Sequence, residues 1–179
     1  MVNLANSLTI TRIALVPLIV VLFYLPLNYS NHLIMTFFLI AVATDWLDGI
    51  VARKYGQISS FGAFLDPVAD KLLVCVILIV LLQKNPSVIL MFPVTIIISR
   101  EIGVSALREW MAKSGKSTIV AVSFKGKVKT FLQMTALALL IVGSGNTQSY
   151  HFLFGLILLY VATILTLWSL CDYIKKAFG

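Results

Sequence analysis

From Phe152 to Cys171 the chain carries no charged side chain. A helix rises 1.5 Å per residue, so about 20 apolar residues cross the hydrocarbon core of a bilayer. This run is long enough to span on its own. Five further apolar stretches precede it, each apolar in one half and polar or charged in the other. Helices are expected at roughly Leu8–Leu25, Asn31–Tyr55, Ser60–Gln83, Ser87–Met111, Phe124–Val142 and Phe152–Ile174. A mean hydropathy of +1.00 is too high for a soluble globule. Charged residues make up 12% of the chain, about half the usual share. The expected fold is an all-α polytopic membrane protein: six transmembrane helices in one bundle, one domain spanning 1–179.

The net charge of +7 raises the question of nucleic acid, but the basic residues flank apolar helices. Membrane lipid, in particular an anionic cytoplasmic leaflet, is the better match, and no nucleic-acid partner is expected. Arg53, Lys54, the Arg108–Lys129 stretch, Lys175 and Lys176 all fall at one end of the helices. The connections Pro26–His32 and Gly143–His151 carry no lysine or arginine, and the turn near Asn85 only Lys84. The positive-inside rule therefore places both termini in the cytoplasm. No basic segment or small-residue cleavage site precedes the first apolar run, so it is expected to be a retained helix. Cys75 and Cys171, both in apolar segments, read as packing residues without a disulfide. His32 and His151 read as exposed loop residues.

The chain has seven acidic residues, and four of them lie between Asp45 and Asp70, amid apolar sequence. Carboxylates at membrane depth are expensive and usually functional. Asp45, Asp48, Gly49 and Ala52 share one helical stripe, at i, i+3, i+4 and i+7. Gly62, Asp66 and Asp70 share another. The short polar connection Arg53–Ser60 makes the two helices antiparallel neighbours, with four carboxylates converging between them. Like charges that close need a cation to stay ionised. An oxygen-only ligand set favours Mg²⁺ or Mn²⁺. Gly49, Ala52 and Gly62 leave room beside the acidic stripes. A metal beside a tight cleft points to a phosphate-bearing substrate, with the metal as template and Lewis acid.

Depth can be counted along the chain. Asp45 lies fourteen residues after Asn31, Asp70 thirteen before Gln83, Arg100 thirteen after Ser87, Arg12 thirteen before Leu25, and Lys129 fourteen before Gly143. Each is then ~20 Å from the outer surface of a ~30 Å core. Ionisable groups on five helices reach one level, which describes a polar cavity open to the cytosol.

The stretch D-x-x-D-G-x-x-A-R-x8-G-x3-D-x3-D resembles the signature of the CDP-alcohol phosphotransferases. Asp45, Asp48, Gly49, Ala52, Arg53, Gly62, Asp66 and Asp70 match every fixed position. The resemblance implies displacement at phosphorus: an alcohol attacks the β-phosphorus of a CDP-linked lipid, and CMP leaves. It implies Asp45, Asp48 and Asp66 as main metal ligands and Asp70 as general base, shared between two ions. Asn6, Thr9, Asp48, Gly49, Ala52, Arg53 and Gly62 would contact CDP-diacylglycerol. The segments Ser105–Met111 and Gly126–Thr130 are similar to the branch whose acceptor is sn-glycerol 3-phosphate. Arg108, Lys125 and Lys127 would hold that acceptor's phosphate, with Arg100 and Lys129 deeper. The resemblance covers most of the cytoplasmic half of the bundle. The expected setting is a bacterial cell membrane, with the active site facing the cytoplasm and a homodimer as the assembly.

Several residues keep a second explanation. Asn6 or Ser7 serves equally as the N-cap of the first helix. Arg100 and Glu101 either neutralise part of the acidic cluster or leave Arg100 as an anion ligand. Gly126 among lysines is either positive-inside flanking or a phosphate pocket at a helix start. Pro67 is either a first-turn proline or the cause of an irregular start to the third helix. Trp46, Glu109 and Trp110 read as interfacial. Other acceptors (inositol phosphate, serine, phosphatidylglycerol) fit the same motif. An intramembrane prenyltransferase would usually carry two separated Asp-rich motifs, and only one is present. A cation transporter would need an exit path through outer halves that are almost uncharged.

Overall fold

The computed structural model describes residues 4–26, 29–55, 60–113 and 124–178. The side chains of residues 4–8, 46, 48–55, 60–64, 66, 112, 124–127, 173 and 176–178 lie outside that description. Six helices follow one another: α1 (Leu4–Tyr24), α2 (Ser30–Tyr55), α3 (Ser60–Lys84), α4 (Val88–Lys113), α5 (Phe124–Val142) and α6 (Tyr150–Phe178). The sequence expectation for α5 agrees at both ends, and those for α2 and α3 agree to within one residue.

Two expectations are corrected. Helix α1 begins at Leu4, so Asn6 and Ser7 stand inside its first turn and neither is the N-cap. Once an apolar run has nucleated a helix, each added residue gains a hydrogen bond, and capping side chains are overrun. Pro67 is the eighth residue of α3, and the helix runs through it unbroken. It is therefore not a first-turn proline. Its missing N–H removes one bond in the ladder, while the flanking turns keep theirs.

The chain forms two compact units, Met1–Leu81 and Leu82–Gly179. In the first, α1 packs on α2. Helix α1 buries Arg12, Val16, Ile19 and Phe23, a stripe at i, i+4, i+7 and i+11. Helix α2 buries Ile34, Phe38 and Ala41, and the next position on that stripe is Asp45. Helix α3 buries Leu73, Val74 and Ile77, at i+3, i+4 and i+7 from Asp70. Each acidic position thus continues a packing stripe from its apolar part into its polar end. Truncating a core side chain such as Phe38 to alanine should cost about 3–5 kcal/mol.

In the second unit α6 packs on both α4 and α5. Its buried face holds Leu159, Ala162, Thr163 and Thr166, while Ile157, Ile164 and Trp168 stay exposed. At Gly155 an added Cβ would lie 3.0 Å from the side chains of Leu139 and Leu140, the close approach that small residues permit between helices. Ser149 and Ser87 cap α6 and α4, accepting from Phe152 N and Leu90 N at 3.2 Å. Asn85 ties the α3–α4 turn to the α5–α6 turn. Its amide donates to Ser144 Oγ at 3.1 Å and accepts from Gly145 N at 3.0 Å. Gly145 takes a φ of +89°, a conformation glycine adopts at no steric cost.

Hydroxyls within the apolar helices bond backward to their own backbone. Thr36, Thr135 and Thr163 donate to the carbonyls of His32, Phe131 and Leu159. This satisfies them without water. Among the described residues two helical stretches are long and apolar enough to cross a membrane, Val88–Met111 and Tyr150–Asp172. Thr9–Tyr24, Ser30–Asp45 and Val128–Val142 are shorter apolar helical stretches. Neither cysteine is in a disulfide, as expected, but Cys171 is exposed and packs in no core. It sits outside the buried stripe of α6. His32 and His151 are exposed, in the opening turns of α2 and α6 rather than in loops.

Candidate active site

In the first unit the register of the packing stripes decides what meets. Arg12 on α1 is fully buried; its Nη1 donates to Asp70 Oδ1 on α3 at 2.7 Å and forms an ion pair with Asp45 Oδ1 on α2 at 2.8 Å. Two carboxylates 25 positions apart in sequence therefore share one guanidinium nitrogen. The expected convergence of the acidic stripes is found for Asp45 and Asp70, but it is organised by a third helix. Thr9, one turn before Arg12 on the same face, is also buried.

The burial is asymmetric. Arg12 has no exposed side-chain surface, whereas Asp45 and Asp70 keep 50% and 48% of theirs. The guanidinium lies underneath, and the carboxylates present open sides. Two carboxylates and one guanidinium leave one negative charge. Hard oxygen donors with open faces and residual negative charge fit a divalent cation. Among the described residues no third Asp, Glu, His or Cys joins them. The side chains of Asp48 and Asp66, like those of Asn6, Gly49, Ala52, Arg53 and Gly62, lie outside the described residues. Their backbones belong to α1, α2 and α3.

The second unit holds a network of opposite sign. Glu101 Oε1 accepts from Arg100 Nη1 at 2.9 Å and from Lys129 Nζ at 2.8 Å. Arg100 Nη2 donates to Ser169 Oγ on α6 at 3.2 Å. Arg100 and Lys129 are nearly buried, at 9% and 7% exposure, and Glu101 is 18% exposed. Arg100 Nε and Thr166 Oγ1 are buried and have no hydrogen-bond partner among the described residues. Gln133, one turn from Lys129 on α5, is also buried. Removing one partner from such a buried ionic cluster typically costs 3–5 kcal/mol.

Among the described residues Arg100 is paired with Glu101 and Ser169, and no bond to the Asp45–Asp70 cluster is seen. Its charge is met by its own neighbour Glu101, while its Nε has no partner among the described residues. Arg108, further along α4, is exposed. Lys125 and Lys127 open α5, with side chains outside the described residues. Ser105, in the segment similar to the glycerol-3-phosphate branch, donates to the Glu101 carbonyl at 2.6 Å. Glu109 pairs with Lys113 at 2.8 Å on an exposed surface, an ordinary i, i+4 contact.

A family model described as CDP-alcohol phosphatidyltransferase matches residues 2–168. The chain belongs to this family. Among relatives, a Haemophilus influenzae protein is 46% identical over 99% of this chain and 94% of its own length. A Salmonella choleraesuis protein is 45% identical over 99% of this chain and 96% of its own. An Escherichia coli protein is 45% identical over 98% and 94%. All three are named CDP-diacylglycerol–glycerol-3-phosphate 3-phosphatidyltransferase. The match takes in α1 to α5 and most of α6, so both charged clusters lie within the family's span.

Sequence reasoning missed three roles. Arg12 was expected among the ionisable groups at the level of the cavity, not as the bridge between Asp45 and Asp70. Glu101 was a neutraliser, not the link between α4 and α5. Ser169 drew no attention. A usable signal for Arg12 existed. The stripes Arg12–Val16–Ile19–Phe23 and Ile34–Phe38–Ala41–Asp45 put a cation and an anion at matching ends of two packing faces. No comparable signal marks Ser169, a lone hydroxyl at the end of an uncharged run.

Proposed function

We propose that this chain transfers the phosphatidyl group of CDP-diacylglycerol to sn-glycerol 3-phosphate, releasing CMP. The observation that carries this reading is the name shared by relatives about 45% identical over nearly the full chain. The sharing of Arg12 by Asp45 and Asp70, both signature positions, supports it. The acceptor's hydroxyl oxygen forms a bond to the β-phosphorus as the bond to the CMP phosphate oxygen breaks. Asp70 takes the proton as general base. Arg12 holds Asp70 in place through Oδ1. Asp45, Asp48, Asp66 and Asp70 would hold Mg²⁺ or Mn²⁺, two ions in all. When bound, the metal neutralises the diphosphate and polarises the reacting phosphoryl group.

Asn6, Thr9, Gly49, Ala52, Arg53 and Gly62 bind the liponucleotide around those carboxylates. Arg100, Arg108, Lys125, Lys127 and Lys129 bind the phosphate of the acceptor. Their charge has the required sign, and the dry setting of Arg100 and Lys129 makes each contact stronger than it would be in water. One lipid substrate and one soluble anion call for a membrane site reached from the cytosol. All six helices are therefore assigned as spans of one domain, with both termini and the site facing the cytoplasm. The positive-inside distribution supports that orientation.

The test is CMP release by purified protein from CDP-diacylglycerol with a panel of acceptors: glycerol 3-phosphate, inositol phosphate, serine and phosphatidylglycerol. Release with glycerol 3-phosphate alone is expected. Release that prefers another acceptor, or that needs none, would overturn the assignment.

A further inference from the structure

Two buried cations side by side repel each other strongly in dry surroundings, so Arg100 and Lys129 require an anion between them. Charge balance alone would be met by any carboxylate nearby. The observed arrangement is more specific. A single oxygen, Glu101 Oε1, receives both cations, at 2.9 Å and 2.8 Å, and so links α4 to α5. Ser169 Oγ holds Arg100 Nη2 from α6 at 3.2 Å. The guanidinium is thus fixed at two of its three nitrogens. The third, Nε, is buried without an acceptor among the described residues.

A planar fork held at two corners presents its remaining donor in one direction. Buried donors without partners are rare and call for an explanation, of which an absent ligand is one. Lys129 spends one ammonium N–H on Glu101, and an ammonium carries three. The network of two cations and one carboxylate keeps a net positive charge. It can therefore attract an anion without giving up Glu101.

We propose that Glu101 is a positioning residue, which fixes Arg100 and Lys129 so that their remaining donors receive the acceptor's phosphate. This rests on the acceptor assignment above. Glu101 acts through the two cations, with Ser169 bracing the far side of Arg100.

The full-length protein in detergent micelles is assayed with each substrate varied in turn. Glu101→Gln is expected to raise KM for glycerol 3-phosphate about tenfold, leaving KM for CDP-diacylglycerol and kcat within about twofold. Glu101→Asp should recover most of the loss. Ser169→Ala, a milder change that loosens one end of Arg100, should raise the same KM about threefold. In a Lys129→Met background the further effect of Glu101→Gln should shrink below about threefold, because one of the two groups it orients is gone.

Equal rises in both KM values, or a fall in kcat alone, would show that Glu101 serves the fold and not the acceptor. Effects of Glu101→Gln and Lys129→Met that multiply would overturn the coupling. Failure of the acceptor assignment reads differently: Lys129→Met by itself would then leave KM for glycerol 3-phosphate unchanged. Should Glu101→Gln fail to fold, Glu101→Asp and Ser169→Ala decide by the same KM ratio.

Discussion

The two charged clusters are near mirror images. In the first unit one buried cation, Arg12, serves two half-exposed carboxylates. In the second, one carboxylate, Glu101, serves two buried cations. Each cluster contains its own counter-ion, and each is left one charge short of neutral, with opposite signs. What differs is which partner is hidden. The first hides the cation and opens the anions; the second hides the cations more deeply than the anion. A site for a metal must show its carboxylates, because ligand oxygens have to reach the ion. A site for a phosphate gains by drying its cations, since charge-assisted bonds strengthen in low dielectric.

Chelation of divalent cations should separate the clusters most sharply. In EDTA, CMP release is expected to fall to background and to return with Mg²⁺ or Mn²⁺. Unaltered turnover in chelator would leave Asp45 and Asp70 as a structural ion-pair site and erase the contrast. Next in size is Asp70→Asn, expected to lower kcat by about 10²–10⁴-fold, the usual contribution of a general base. A loss confined to KM for the liponucleotide would instead make Asp70 a ligand only.

Arg12→Gln leaves two neighbouring, half-exposed carboxylates without their counter-ion, at a cost of about 1.5–3 kcal/mol for the lost charge-assisted contacts. Thermal unfolding in detergent should show this loss. It should also show that added Mn²⁺ restores more stability to the variant than to the parent. Equal metal effects on both proteins would mean that the carboxylates and the metal do not share this place. In the second cluster, Lys129→Met should cost about 1.5–3 kcal/mol, or roughly ten- to a hundredfold in kcat/KM for glycerol 3-phosphate. The smallest effect is expected at Lys113. Its bond to Glu109 is exposed on both sides, and exposed pairs contribute little. Lys113→Ala should leave both KM values unchanged.

Much of this was legible along the chain. Helix boundaries followed from apolar runs broken by prolines, serines and lysines, because a chain this hydrophobic must satisfy its backbone within helices. The α3–α4 break at Asn85-Pro86-Ser87 and the end of α5 before Gly143 are examples. The start of α1 was misjudged because capping preference is a weak local signal, and helix propagation overrode it. Counting residues from the helix ends placed Arg12, Asp45 and Asp70 at one depth, and the contacts within the first unit agree.

By itself the sequence determined the helical class, the positions of the six helices, and the stripes that carry Asp45, Asp70, Arg100 and Lys129. These depend on periodicity and hydropathy, which are local properties. The tertiary structure decided pairing. Arg12 lies 58 positions from Asp70, Glu101 lies 28 from Lys129, and Arg100 lies 69 from Ser169. Which side chain faces which depends on the rotation and axial register of each packed helix. Those are set by the fit of whole faces such as Ile34–Phe38–Ala41 against Val16–Ile19–Phe23, and no single helix encodes them.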